Sequence, residues 1–134
     1  MTLHVELLMP DRSLWSGEAG LVIAKTTDGD IGVQTGHSPV FGLLSPGSVV
    51  RIREVPGDDN PGDVVRAAVR DGFLSVADNR VSILASLAEL ATEVDTSAAR
   101  EELTEAAAQA GQTAEESPDY RYARAKLLAT GEQA

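Results

Sequence analysis

The residue types that most often carry chemistry in proteins are few in this chain and lie far apart. Its 134 residues include no cysteine, two histidines (His4 and His37) and two lysines (Lys25 and Lys126). Without cysteine there is no thiolate metal site, no disulfide and no cysteine nucleophile. Two distant histidines make a metal site only where several carboxylates converge with them. We therefore expect no catalytic residue, no metal site and no bound cofactor.

Phosphate-binding and nucleophile motifs are also missing from the sequence. Neither lysine both follows a glycine-rich turn and precedes Ser or Thr, as a Walker A loop requires. Gly29, Gly32 and Gly36 lack the dinucleotide-binding spacing and lie among strand-like segments, not before a helix. No serine lies in a nucleophile elbow, and a carboxylate pair is catalytic only when its geometry and pKa cooperate. A small enzyme is therefore the least favoured class.

The charge balance excludes further classes of protein. The chain has 21 acids and 11 bases, a net charge of −10, whereas a duplex-binding protein needs a basic face. Anionic lipid would repel this chain for the same reason. The N-terminus has no signal-peptide pattern, and no apolar run approaches the roughly 20 residues that span a bilayer. We expect a soluble protein with no nucleic-acid partner and no direct lipid insertion, held at a membrane only through another protein.

Residues 3 to about 86 have the pattern of short strands. Apolar and polar residues alternate with a period of two, which indicates half-buried strands, in segments 3–7, 65–69 and 81–85. Turn dipeptides separate the apolar runs, at Asp28-Gly29, Asp71-Gly72 and Asp78-Asn79. Residues 56–62 are rich in Pro, Gly and Asp and predict an exposed connection. This pattern predicts an antiparallel β-sandwich or flattened barrel over residues 1–88.

From about Asp95 the apolar period changes to that of a helix. Two stripes follow helical spacing: Ala99, Leu103, Ala106 and Ala110, then Tyr120, Ala123 and Leu127. Asp95 and Ser117-Pro118 are helix-start signals, and Gly111 and Gly131 are stop signals. We predict an antiparallel two-helix hairpin over residues 89–134. Its alanine-rich stripes bury little area, so we expect it to be weakly held.

The charges of the two predicted helices are opposite. Residues 93–117 hold seven acids and one arginine, whereas residues 118–129 hold Arg121, Arg124 and Lys126 against Asp119. Two interpretations remain open. The helices present complementary solvated faces to each other, or the basic second helix also contacts an acidic surface of a partner protein.

One segment contains an ordered run of turn motifs: Gly29-Asp30-Ile31-Gly32, Gly36-His37-Ser38-Pro39 and Pro46-Gly47. Singly, each motif indicates only a turn. Together, with the strand-like segments 72–76 and 81–85 and the Glu- and Ala-rich tail, they resemble the epsilon subunit of the rotary F-type proton-translocating ATP synthase. The resemblance spans nearly the whole chain, and a sandwich followed by a helical hairpin is also the architecture of that family.

The resemblance implies a non-catalytic rotor subunit at the foot of the central stalk. Such a subunit couples the gamma shaft to the membrane ring of c subunits, and it lies on the cytoplasmic side of the cell membrane as a peripheral part of the complex. Residues matched to the side that faces the c-ring are Asp28, Asp30 and Ile31. Residues matched to the side that faces gamma are Gly36, His37 and Ser38.

The resemblance also implies a regulatory role for the helical hairpin. In some members its second helix, here with Arg121, Arg124 and Lys126, restrains ATP hydrolysis, which implies contacts with the alpha and beta subunits. Some members bind ATP through hydrophobic-Asp-x-x-Arg-Ala, matched here by Val94, Asp95, Ala98 and Ala99. Alanine stands at the arginine position, which removes a charge-assisted phosphate contact worth roughly 1.5–3 kcal/mol. Arg100 lies about 200° around the helix and cannot substitute, so we predict weak or no ATP binding.

An alternative function comes from a different class. The chain could be a free-standing β-sandwich binding module whose helical tail mediates oligomerisation. Such a module is expected to have an aromatic cluster that faces its ligand. The aromatic residues are scattered along the sequence, and Trp15 is interpreted as a core or edge filler; the others are Phe41, Phe73, Tyr120 and Tyr122.

Overall fold

The computed structural model describes residues 2–53, 63–110 and 117–130. They form two five-stranded sheets followed by two helices. The first sheet has the order β2-β1-β9-β8-β5 and the second the order β10-β7-β6-β3-β4. The strands are β1 Leu3–Met9, β2 Arg12–Ala19, β3 Leu21–Thr26, β4 Gly29–Val33, β5 Val40–Leu43, β6 Ser48–Arg53, β7 Asp63–Val69, β8 Gly72–Ala77, β9 Arg80–Ala85 and β10 Ala88–Leu90.

The core lies between the two sheets and is built from small aliphatic side chains. Alternate residues of each strand point inward, so that Leu3, Val5 and Leu7 of β1 are fully buried while His4 is exposed. The predicted β-sandwich is thus confirmed, with one exception to its antiparallel pairing, since β1 runs parallel to β9. Trp15 is half-buried on the edge strand β2 and packs against the core, as expected of an edge filler.

The turn between β8 and β9 organises its neighbours. Asp78 and Asn79 have φ of 51° and 61°, the left-handed conformation of a tight two-residue hairpin turn. The Asn79 backbone carbonyl accepts a hydrogen bond from His4 N at 2.8 Å. Its side-chain Oδ1 accepts another from Gly36 N at 2.7 Å. The predicted turn therefore also fixes the loop that carries Gly36 and His37.

Two helices follow the sandwich, α1 over Thr96–Ala110 and α2 over Pro118–Ala129. The Asp95 carboxylate accepts hydrogen bonds from the first-turn amides of α1, which is ordinary N-terminal capping. Ser117 Oγ caps α2 by accepting from Tyr120 N at 3.4 Å. Both predicted helix starts are confirmed. The predicted stops at Gly111 and Gly131 and the connection over residues 56–62 lie outside the described residues.

The hairpin is folded against the outer face of the second sheet, where α2 packs on β6 and β7. Tyr122, Ala125 and Ala129 form a buried cluster with Ala68 of β7. This stripe of α2 is additional to the predicted stripe, in which Ala123 and Leu127 are also buried. A helix that packs on both a sheet and another helix buries two stripes of side chains, and only one of these was predicted for α2.

Strand β10 pairs with β7 through Ala88, Glu89 and Leu90. Strand β10 therefore spans the predicted domain boundary at residue 88. The division of the chain into residues 1–88 and 89–134 stays a prediction. Within the described ranges, no helix is both long and apolar enough to span a bilayer.

Candidate functional site

A row of apolar side chains lies on the outer face of the first sheet and was not predicted from the sequence. Strand register places Leu8 beside Leu84, Leu84 beside Phe73, and Phe73 beside Leu43, so the row crosses β1, β9, β8 and β5. Phe41 lies two residues before Leu43 on β5. We call these five residues the apolar patch. It belongs to the sheet opposite the one on which α2 packs.

The apolar patch is most exposed along the edge strand β5. The side chains of Phe41 and Leu43 are 64 % and 57 % exposed, and the Phe41 and Phe73 rings are 5.1 Å apart between centroids. The expectation of scattered aromatic residues is therefore wrong for this pair, because antiparallel pairing of β5 with β8 brings them together. Adjoining exposed apolar side chains of this kind are a common feature of protein interfaces.

The residues predicted to face gamma lie in the loop that leads into β5. Gly36 is held by Asn79, and His37 Nδ1 lies 2.7 Å from the carbonyl oxygen of Ser38. This loop is therefore braced by the β8–β9 turn and enters the same edge strand that carries Phe41. The nearest signal of the apolar patch in the sequence is that Leu8 and Leu84 are apolar at positions that alternate with the inward residues of β1 and β9.

The residues predicted to face the c-ring lie at the β3–β4 turn. Asp28 and Asp30 are exposed there, whereas Ile31 is half-buried and packs against the core. The neighbouring Thr27 N donates to the Leu43 carbonyl oxygen at 3.0 Å. The acidic turn therefore adjoins the end of β5 where the apolar patch begins.

The residues of the degenerate ATP motif have structural roles at the start of α1. Asp95 Oδ1 accepts from Ser97 N at 3.0 Å and from Ala98 N at 3.2 Å. Ala99 is buried and Val94 is half-buried. No group of three His, Cys, Asp or Glu residues within the described ranges is arranged to hold a metal ion.

The three basic residues of α2 occupy different environments. Arg124 is exposed and Arg121 is half-buried, and both line a cleft between α2 and the second sheet together with Lys25 and Arg51. Lys126 is only 6 % exposed and points to the other side of the helix, toward carboxylates of β10 and α1. In this folded arrangement it is therefore not part of the basic surface of α2.

A buried phenol lies beside Lys126. No partner among the described residues hydrogen-bonds the hydroxyl of Tyr122. Burial raises the pKa of Tyr122 above its ordinary value; Glu89 and Glu102 raise it further, and Arg70 opposes them. The folded hairpin therefore favours the neutral phenol.

We expect Tyr122→Phe to leave folding intact at neutral pH and to change stability by about 0–1 kcal/mol in the favourable direction, because no hydrogen bond is lost. Since the folded state holds the phenol proton more tightly, the contribution of Tyr122 to stability is fully present below about pH 10 and is lost as the pH rises above that value. Tyr122→Phe removes this loss. Urea unfolding followed by circular dichroism at pH 8 and pH 11 measures the difference between the two chains, both of which retain Lys126. An equal loss in both would contradict the prediction.

Comparisons with known proteins agree with the fold. A family model described as ATP synthase, Delta/Epsilon chain, beta-sandwich domain matches residues 2–91. The chain is 51 % identical to an ATP synthase epsilon chain of Streptomyces avermitilis over 119 residues, which cover 89 % of this chain and 91 % of that relative.

One relative is about as long as the sandwich part of this chain. An ATP synthase epsilon chain of Frankia casuarinae is 44 % identical over 90 residues, which cover 67 % of this chain and 99 % of the relative. Its length accommodates the sandwich but not the sandwich and hairpin together.

A similar solved structure is a chain of the Euglena gracilis mitochondrial ATP synthase, described as OSCP/F1/c-ring in rotational state 1. The TM-score is 0.71 over 97 % of this chain and 79 % of that chain, at 19 % sequence identity. This similarity extends the agreement in fold to the helices.

Proposed function

We propose that this chain is the non-catalytic central-stalk subunit that couples the gamma shaft to the c-ring. The chain belongs to the family of ATP synthase epsilon chains, and this role follows from that membership. The single observation that carries the gamma contact is the exposed apolar patch on the first sheet. Aromatic residues in such patches anchor protein interfaces. The sandwich transmits torque through this contact, and no catalytic residue is needed for that task.

The gamma-facing surface extends from the Gly36–His37–Ser38 loop onto the apolar patch. The loop enters β5, so His37 and Phe41 belong to one continuous stretch of chain. Asn79, in the β8–β9 turn, holds the loop through a hydrogen bond to Gly36. The loop is therefore already ordered, which lowers the conformational entropy cost of binding. A preorganised apolar surface beside a braced polar loop suits a permanent contact with a helical shaft.

The c-ring-facing surface is the acidic β3–β4 turn. Asp28 and Asp30 are exposed at its tip, where they can pair with basic groups on exposed loops of the ring. Ile31 contributes mainly to the sandwich core, so its role is to hold the turn in place. The complex would hold this chain at the cytoplasmic side of the cell membrane as a peripheral subunit, without lipid insertion.

The two parts of the chain have different tasks in this proposal. Residues 1–88 carry the rotor contacts, and the short Frankia relative supports the sufficiency of a sandwich for them. Residues 89–134 modulate ATP hydrolysis when α2, with Arg121 and Arg124, leaves the sheet and approaches the alpha and beta subunits. Lys126 would become available for such contacts only after α2 leaves.

Binding to gamma tests the central claim. Purified gamma subunit of the same organism is mixed with this chain, and the mass of the complex is measured by size-exclusion chromatography with light scattering. We expect a one-to-one complex that His37→Glu weakens. Ala108→Glu is the matched control because it adds the same charge at an exposed position of α1. If two folded chains form no complex, the free-standing binding module becomes the better explanation.

ATP binding is expected to be absent or weaker than millimolar. Alanine replaces the phosphate-directed arginine at position 98, and Asp95 is already engaged as a helix cap. The cleft beside α1 is lined by four carboxylates against the two cations Arg70 and Lys126, and this excess of negative charge disfavours phosphate groups. Isothermal titration calorimetry with Mg-ATP measures the affinity, and a micromolar dissociation constant would contradict this prediction.

A further inference from the structure

Lys126 is a nearly buried cation at the place where three elements meet. Its side chain is 7 % exposed, and its Nζ lies 2.5 Å from Glu102 Oε2 on α1 and 3.7 Å from Glu89 Oε1 on β10. The same Nζ lies 4.9 Å from the centroid of the Tyr122 ring. One ammonium group therefore connects α2 with α1 and with the edge of the second sheet. We call these four residues the lysine cluster.

A lysine is rarely buried unless its charge is paired. The two carboxylates and the ring supply this pairing, and the aliphatic part of the side chain packs within the hairpin. Removal of the ammonium would deprive Glu89 and Glu102 of the cation that both of them contact. The folded position of α2 therefore depends on a charge that is carried by α2 itself.

The cleft around the lysine cluster has a volume of about 370 Å³ and is lined by charges of both signs. Arg70, which directly follows β7, pairs with Asp119 at the start of α2 at 2.7 Å. This pair binds the first turn of α2 to the sheet, and the lysine cluster binds its last turn. These three ion pairs are formed between groups of the chain itself, so none of them requires an external ligand.

We propose that Lys126 is a built-in counter-ion that holds the helical hairpin folded on the sandwich, so that the folded state of this chain does not depend on a nucleotide. The inference concerns the isolated chain and does not require a gamma subunit. Its regulatory consequence rests on the proposed function, because release of Lys126 would then free α2 for other subunits. A chain that folds its hairpin in this way would respond to a competing partner surface and not to the ATP concentration.

Amide hydrogen exchange of the full chain tests the proposal. In Lys126→Met we expect α2 amides to exchange about tenfold faster, because a buried ion pair is broken, while β1 and β9 amides keep their wild-type rates. Arg12→Met is the matched control, since it also replaces one cation by methionine, at an exposed position of β2 in the sheet that does not carry α2. Mg-ATP is expected to leave α2 exchange in the wild-type chain unchanged.

A milder pair of variants decides the question if Lys126→Met unfolds the whole chain. Glu102→Gln removes one partner of Lys126, and Glu101→Gln is a neighbouring exposed control. Faster α2 exchange in Glu102→Gln alone supports the proposal, and equal exchange in the two variants overturns it. In a double-mutant cycle, Glu102→Gln is expected to cause no further acceleration in the Lys126→Met background and to reverse part of it, because it relieves repulsion between the two carboxylates. Slower exchange of α2 amides on addition of Mg-ATP would also overturn the proposal. This outcome is independent of whether the chain binds gamma, so it is distinct from a failure of the proposed function.

Discussion

Replacing Gly47 by alanine is expected to lift α2 off the second sheet and leave the sandwich folded. An added Cβ at Gly47 would lie 2.3 Å from the Cβ of Arg121 and 2.5 Å and 2.6 Å from its backbone C and O atoms. The helix backbone cannot relax at one residue alone, so α2 as a whole must move away. The left-handed φ of 63° at Gly47 adds roughly 1–2 kcal/mol of backbone strain in the turn.

Amide exchange separates these two effects of the substitution. We expect α2 amides in Gly47→Ala to approach the exchange rates of an undocked helix, while β1 and β9 keep most of their protection. Gly36→Ala is the matched control: its φ of 82° imposes similar strain, and no atom lies within 4 Å of the added Cβ. If α2 amides exchanged at the same rate in the two variants, contact with the Pro46–Gly47 turn would not be what holds α2 on the sheet.

Replacing Phe41 by alanine is expected to weaken the complex with gamma by about 30-fold or more, the effect of losing an aromatic interface anchor worth at least about 2 kcal/mol. Phe41 is 64 % exposed, so the substitution should cost the isolated chain at most about 1 kcal/mol through the lost ring contact with Phe73. Surface plasmon resonance with immobilised gamma measures the affinity, and thermal unfolding measures the stability.

Leu128→Ala provides the matched control for Phe41→Ala. Leu128 is another exposed apolar residue, 44 % exposed, but it lies on α2 and outside the apolar patch. We expect it to leave gamma affinity within about twofold, as is usual for substitutions outside an interface. A similar loss in both variants would show that general surface hydrophobicity, and not the apolar patch, accounts for binding.

Much of the fold could be predicted from the sequence because its signals are local. Alternation in β1 and β9 indicates which side chains point inward, and the Asp78-Asn79 turn needs residues that tolerate positive φ. Asp95 and Ser117-Pro118 carry their capping chemistry within one helical turn. The family resemblance likewise depends on ordered local motifs, which explains why it was visible without a structure.

Only part of the proposed interaction surfaces could be predicted. His37 and Asp30 belong to short motifs and were predicted to be interface residues, and this stays a prediction, whereas the apolar patch was not predicted. Leu8, Phe73 and Leu84 are each a single apolar residue at an outward strand position. They form a row only because β1 pairs with β9 in parallel and β8 pairs with both β9 and β5. Strand register between distant segments is not encoded in local spacing.

The sandwich, the two helix starts, the acidic turn and the alanine at position 98 can all be identified from local sequence. The folding of the hairpin onto the sheet, the burial of Lys126 and the contact of Gly47 with α2 depend on the packing of distant segments. Packing of α2 on the second sheet brings residue 47 against α2, and packing on α1 and β10 brings residues 89, 102 and 126 together on the other side of the helix. The physical reason is that local preferences depend on residues within one turn, whereas burial and charge pairing depend on which distant surfaces meet.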